Sequence, residues 1–181
     1  MRDNKNGRLP KSWPTIALVV VLGIAIGLTA SPVAADRKYI RVDELKGNVK
    51  QQDHVDWSFL NAYTHIINKP GKVPACKVIV EKPIDPISPA LWMAAISGQI
   101  LEEVEVHFMS LDQLPQKYFI SFMKMVTIKK VKSMGADDED GGDITQDRIV
   151  LLPESLNLTY IIYDANGYPI NTIVEELTCS D

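Results

Sequence analysis

The most restrictive feature of the sequence is a repeated alternation of apolar and polar residues over short stretches, the pattern of β-strands with one buried face. The clearest example is residues 102–109. Val104, Val106 and Phe108 are predicted to face the core, and Glu103, Glu105 and His107 are predicted to face water. Further strands are predicted at residues 38–42, 54–67, 76–81, 118–131, 149–152 and 156–164. Such a chain is predicted to be mostly β and to form a compact β-barrel or sandwich, since closure removes exposed sheet edges.

Two of these stretches carry specific expectations about their faces. In residues 54–67, Trp57 and Phe59 are predicted to share one face, with Asp56 and Ser58 on the other. Residues 118–131 are apolar on both faces, which predicts a central or covered strand.

One segment has the signals of an α-helix. Ser88 is a suitable N-cap, Pro89 fits the first turn, and Gly98 follows a run of strong helix formers. Leu91 and Ala94 fall on one apolar stripe. A single short helix is therefore predicted among many strands, which argues against an alternating α/β fold.

Residues 1–35 have the three parts of a secretory signal: a basic start, an uncharged apolar run, and small residues before Asp36. Val33 and Ala35 occupy the positions expected before a cleavage site, so cleavage after Ala35 is predicted. An uncleaved membrane anchor is the alternative, because residues 15–35 are uncharged and roughly 20 residues span a bilayer. A helix buried in the domain is a third possibility.

Charge and cysteine content bear on partners and compartment. The chain has a net charge of −4, and without residues 1–35 it keeps 15 basic and 22 acidic side chains. This balance argues against nucleic-acid binding through phosphate neutralisation. In an oxidising compartment the two cysteines, Cys76 and Cys179, are a candidate disulfide, although two separate thiols remain an alternative.

No pattern in the sequence predicts a catalytic, metal or cofactor site. The three histidines, His54, His65 and His107, lie outside any known catalytic motif, and the pair of His107 and Glu105 is predicted to be part of a solvated surface. Residues 135–143 carry five acids and three glycines, which predicts a solvated loop. Their spacing does not match a calcium-binding EF-hand, so calcium binding is the weaker interpretation.

The order of motifs resembles the Hcp family, the ring-forming inner-tube proteins of bacterial type VI secretion systems. The segment VEKPIDPISPAL, residues 80–91, resembles the family's passage from a strand into its single helix. The motif residues carried by this resemblance are Lys82, Pro83, Asp85, Ser88, Pro89, Leu91 and Gly98. The opening strand at residues 39–42 and the Lys46-Gly47 turn are also similar to the family pattern.

The resemblance implies a β-barrel with one short helix packed on its outside, assembling as a homo-hexamer whose rings stack into a tube. It further implies that the ring lumen holds small effector proteins and that the protein is not an enzyme. Residues 1–35 would be the signal, residues 36–167 the barrel domain, and residues 168–181 a C-terminal tail.

The signal departs from the family pattern, because tube proteins generally lack one. It implies export to the periplasm or the extracellular space, with contact to a membrane only through the signal; an upstream misplacement of the gene start is the alternative. A different functional class therefore stays open: a monomeric secreted barrel that binds a partner through the acidic loop or the C-terminal tail.

Overall fold

The computed structural model describes residues 36–69, 71–111, 116–137 and 143–180. The predicted signal and the centre of the acidic loop, with its calcium alternative, lie outside these residues. The described elements are strands β1 (Arg37–Val42), β2 (Ser58–Leu60), β3 (Ala62–Asn68), β4 (Ala75–Pro83), β5 (Ile100–Ser110), β6 (Gln116–Asp137), β7 (Asp143–Tyr163) and β8 (Pro169–Thr178), helix α1 (Ser88–Ser97) and a 3-10 helix (Gln52–His54).

The strands form one antiparallel sheet that closes on itself. Its order is β2-β1-β5-β6-β7-β4-β3, and β8 pairs with β7. The two ends of this path, β2 and β3, are consecutive in the chain and separated only by Asn61. There the backbone N–H of Asn61 donates to the carbonyl of Glu81 in β4, at 2.8 Å. The segment 58–68 thus joins both ends of the path, which confirms the predicted barrel.

The interior is filled by the alternating apolar residues of these strands. Val78, Val80, Val104 and Val106 are fully buried, as the alternation predicts. Leu91 of α1 belongs to the same core cluster, so the helix packs onto the barrel through its apolar stripe. The predicted class, mostly β with one packed helix, is confirmed.

The first part of the predicted strand 54–67 is not a strand. Residues 52–57 form a 3-10 helix and a turn, and Asp56 adopts a positive φ of 65° that interrupts an extended backbone. The strand begins at Ser58, with the opposite orientation to that predicted: Ser58 is buried and Phe59 is 41% exposed.

The two predicted strands 149–152 and 156–164 form the single strand β7, which runs through Pro153. On one side, β7 pairs with β4 as far as Leu151 and with β8 from Ser155 onward. Pro153 lies in the gap between these two partners, where its missing amide hydrogen is tolerated.

The segment predicted as a C-terminal tail contains a strand. Residues 169–178 form β8, which pairs with β7. After it, Cys179 is joined to Cys76 of β4 by a disulfide, with the two Cα atoms 5.5 Å apart. The end of the described chain is therefore fixed to the barrel at Cys179.

Candidate functional site

The motif residues between β4 and α1 form a buried polar network around Lys82. Lys82 continues the inward face of β4, and its side chain has no solvent exposure. The Nζ atom of Lys82 donates to the Pro83 carbonyl at 2.8 Å, to Asp85 Oδ1 at 2.5 Å and to Ser88 Oγ at 3.0 Å. An ammonium group has three donors, so this buried cation is fully paired.

Asp85 and Ser88 fix the turn around this cation. Asp85 Oδ1 also accepts from the Ile87 N–H at 3.2 Å, and Ser88 Oγ accepts from the Asp85 N–H at 3.2 Å. The Ser88 N–H in turn donates to the Asp85 carbonyl at 3.0 Å. The network thus sets the direction in which the chain leaves β4 and enters the helix, which is an architectural task.

The remaining motif residues act at the two ends of the helix. Ile87 rather than Ser88 is the N-cap, while Pro89 lies in the first turn as predicted. Gly98 ends the helix in the left-handed region, with φ of 70° and its N–H donating to the Ala94 carbonyl. Leu91 is buried between these ends.

Asp147 is a further buried polar residue that sequence reasoning missed. Its Oδ1 accepts from Trp92 Nε1 of α1 at 3.2 Å and from Ser133 Oγ of β6 at 2.7 Å. Asp147 also lies opposite Lys82 in the pairing of β4 with β7. The signal that could have revealed it is its position two residues before Ile149, on the inward face of β7.

His107, predicted with Glu105 to be part of a solvated surface, is buried instead, while Glu105 is partly buried. His107 is 4% exposed, because residues 47–57 cover the outer face of β5 at this point. His107 Nε2 lies 2.6 Å from Glu105 Oε1, and His107 Nδ1 lies 2.9 Å from Nε2 of the fully buried His54. Sequence reasoning did not place His54 beside His107, since the two are 53 residues apart.

The electrostatics of this group keep both histidines neutral. Burial lowers the pKa of His54 to about 4, and the neighbouring His107 acts in the same direction. Burial also lowers the pKa of His107, in spite of its bond to Glu105. Burial alone would raise the pKa of Glu105, but the hydrogen bond from His107 and the charge of Arg41 bring it below its usual value. His65 is exposed on β3, apart from this group.

Apolar side chains are exposed at several places among the described residues, and two of these surfaces lie on the strands. The first is on β8 and the turn before it, where large apolar side chains are exposed: Tyr168, Ile170, Ile173 and Val174. The second is a groove of about 390 Å³ lined by Tyr63, Phe108, Tyr118, Phe119 and Tyr160, with Thr64 and His65. The hydroxyl of Tyr63 in this groove donates to Ser121 Oγ at 2.8 Å, and burial raises its pKa to about 12.

The described parts of the chain contain neither a candidate metal site nor a helix that could span a membrane. Within them, no three His, Cys, Asp or Glu side chains are grouped closely enough to hold a metal ion. In the same residues, none of the helices has both the length and the apolar character needed to cross a bilayer.

Comparison with known proteins gives one family. The family described as "Type VI secretion system effector, Hcp" matches residues 39–161. A search of curated proteins gives no match.

Several solved structures of type VI secretion proteins are similar to this chain in fold. One described as a type six secretion system protein is 20% identical, with a TM-score of 0.71, covering 80% of this chain and 96% of its own. Hcp1 from Salmonella typhimurium is 15% identical, with a TM-score of 0.68 and coverages of 80% and 94%. The secreted protein Hcp3 from Pseudomonas aeruginosa is 16% identical, with a TM-score of 0.63 and coverages of 81% and 100%. At these identities the likeness concerns the fold alone.

Proposed function

The chain belongs to the Hcp family of type VI secretion system proteins, and we propose that it is a non-enzymatic protein that assembles into hexameric rings. The rings would stack into a tube or be released as carriers of a small effector protein held in the lumen. We further propose that residues 1–35 direct export to the periplasm or the extracellular space, with a membrane anchor only if they are not cleaved.

The observation that carries the assembly proposal is the surface of β8. All but one residue of this strand are exposed, including Ile170, Ile173 and Val174, and among the described residues only one of its edges is paired, to β7. A strand with apolar side chains and a free edge favours contact with another chain. When such a contact joins two different faces of identical subunits, it closes into a ring if the rotation allows.

The test is the native mass of residues 36–181, measured by light scattering behind a sizing column. A mass near six chains supports the ring. The net charge of this part of the chain makes subunits repel one another, so salt should leave the ring unchanged or strengthen it.

A pair of matched variants locates the contact. Val174 on β8 and Val55 in the loop after the 3-10 helix are almost equally exposed, at 54% and 53%. We expect Val174→Lys to reduce the mass to that of one chain and Val55→Lys to leave it unchanged. An intact ring in the Val174→Lys variant would remove β8 from the proposed contact.

The predicted export signal favours a second candidate, because it departs from the family pattern. In this alternative the protein is a monomeric secreted barrel that binds a partner. A mass of one chain at low and high salt alike would favour it over the ring.

A further inference from the structure

Residues 47–57, here called the latch segment, form a compact loop that is hydrogen-bonded to itself. The Gly47 N–H donates to the Asp56 carbonyl at 2.6 Å, the Val49 N–H to the Trp57 carbonyl at 2.9 Å, and the Asp56 N–H to the Val49 carbonyl at 3.0 Å. A Cβ atom on Gly47 would come within 2.2 Å of the Trp57 carbonyl oxygen, so only glycine allows this closure. Because these backbone bonds are internal, the segment can move as one unit.

The latch segment covers the outer face of β1 and β5 through a small core of its own. Tyr39, Val49, Trp57 and Met109 form a buried cluster that is separate from the barrel interior. The His54 ring stacks on Tyr39, with the ring centres 4.2 Å apart. The attachment of the segment to the barrel is therefore made largely by side chains, with His54 at its centre.

His54 is held in one protonation state. Glu105 accepts from His107 Nε2, so Nδ1 of the neutral His107 ring accepts the proton of His54 Nε2. The remaining nitrogen, His54 Nδ1, is buried and has no hydrogen-bond partner. A proton added there would create a buried cation whose new N–H has no acceptor, which is unfavourable in the closed state.

From this arrangement we propose that the latch segment is an acid-sensitive device: protonation of His54 releases residues 47–57 and uncovers the apolar outer face of β1 and β5. The surface uncovered on the barrel would comprise Tyr39 of β1 and Met109 of β5. The ring of Trp57, in the segment itself, would be exposed at the same time.

The charged groups around His54 are consistent with a closed state that disfavours the protonation of His54. His107 and Glu105 face it from β5, Lys117 acts from β6, and Asp53 lies beside it in the segment. Arg41 of β1 lies over Trp57 and pairs with Glu105 at 2.8 Å. Lys46 and Lys50 lie near Asp56 on the exposed side of the segment, at 4.0 and 3.6 Å. Burial outweighs the acids among these groups, so the pKa of His54 is low in the closed state.

The pH range in which the segment opens follows from the difference between the pKa of His54 in the open state and in the closed state. In the open state, His54 in water has an ordinary pKa of about 6.5, whereas in the closed state its pKa is about 4. The open state therefore binds more protons between these values, and acid favours it. The opening equilibrium should rise by roughly tenfold for each pH unit from about pH 6 to pH 4.5. Glu105 stays ionised at the upper part of this range, because its pKa is lowered.

The test is hydrogen exchange of the full-length protein between pH 7 and pH 4.5, expressed as protection relative to the intrinsic exchange rate at each pH. Protection in residues 47–57 should fall by about tenfold per pH unit below pH 6. Protection in β4 and β6 should persist. An equal loss of protection throughout the barrel would overturn the proposal, because it would indicate global unfolding instead of local opening.

A variant and its matched control isolate His54. A glutamine amide can replace the Nε2 donor but does not titrate, so His54→Gln should weaken the pH dependence of residues 47–57. The part that remains comes from His107, whose pKa is also lowered by burial under the segment. The same substitution at the exposed His65 should leave that pH dependence intact. Identical pH profiles for wild type and His54→Gln would refute the proposal.

Nitrogen NMR of the histidine rings provides a second readout that requires no variant. His54 should remain neutral at pH 5.5, with its proton on Nε2. A His54 ring that is protonated at pH 5.5 while the segment stays closed would overturn the proposal even if the glutamine variant does not fold. The latch does not require ring assembly, so both measurements apply whatever the native mass.

Discussion

Replacing Lys82 with methionine tests whether the buried network holds the passage from β4 to α1. Methionine has nearly the volume of the lysine stem, so the substitution leaves little cavity and mainly removes the charge. It eliminates three hydrogen bonds and leaves the Asp85 carboxylate, 3% exposed, without its cation. Removing one partner of a buried ion pair costs about 3–5 kcal/mol.

The assay is urea unfolding followed by circular dichroism. With a slope of about 2 kcal/mol per molar urea, that loss moves the midpoint by about 2 M. Lys77→Met is the matched control, since Lys77 is exposed on the outer face of the same strand. The free energy of unfolding should change by less than about 0.5 kcal/mol in the control.

A double variant separates loss of the cation from loss of packing. In Lys82→Met/Asp85→Asn, the asparagine oxygen can still accept from the Ile87 N–H, and position 85 no longer carries a buried charge. This variant should regain about 1–3 kcal/mol relative to Lys82→Met alone. The reasoning is refuted if Lys82→Met behaves like Lys77→Met, or if the double variant is no more stable than the single one.

Two further predictions concern the disulfide and the end of the helix. Denatured, non-reduced protein should show no free thiol, and two free thiols before reduction would contradict the bridge. Breaking the Cys76–Cys179 bridge should lower the free energy of unfolding by roughly 4–5 kcal/mol, because the loop that it closes spans 103 residues. Gly98→Val should lower the free energy of unfolding by about 1–2 kcal/mol, because φ is 70° and valine is strained there. Gly135→Val in β6 is the control in the same thermal melts, because a Cβ there also meets no atom within 4 Å, and it should not destabilise the protein. Equal melting temperatures for the Gly98→Val and Gly135→Val variants would refute the strain argument.

The strands and the helix could be predicted because their signals are local. The alternation of Val78 and Val80 in β4, and of Val104 and Val106 in β5, identifies the buried face without knowledge of the partner strands. The helix has its stop signal in Gly98, whose left-handed conformation follows from the absence of a Cβ atom.

The latch segment could not be predicted from periodicity. An alternation of two residues does not show whether a second layer covers the outer face of a strand, and His107 is buried by such a layer. The turn at Asp56 also shifts the register, so that Ser58 faces inward. The burial of His107 depends on contacts between residues far apart in sequence, such as His54 with His107.

The buried network around Lys82 shows a different limit of prediction from sequence. Lys82 continues the alternation of Cys76, Val78 and Val80, and the pattern alone therefore places it inside. A lysine is expected there only when its partners are known, and these are Asp85 and Ser88 in the following turn. The resemblance identified these residues as a motif, while the coordinates give the physical reason for their spacing.

The closure of the barrel through one continuous segment determines where its wall ruptures under load. Residues 58–68 connect the two ends of the sheet path covalently. The barrel can therefore open only where the hydrogen bonds between two neighbouring strands break. The shortest described ladder, β1 with β2, has three paired positions, whereas β3 with β4 has seven. The short ladder directly follows the latch segment in sequence. A pulling force across the barrel should therefore part the wall between β1 and β2 first, and at a lower force in acid than at neutral pH.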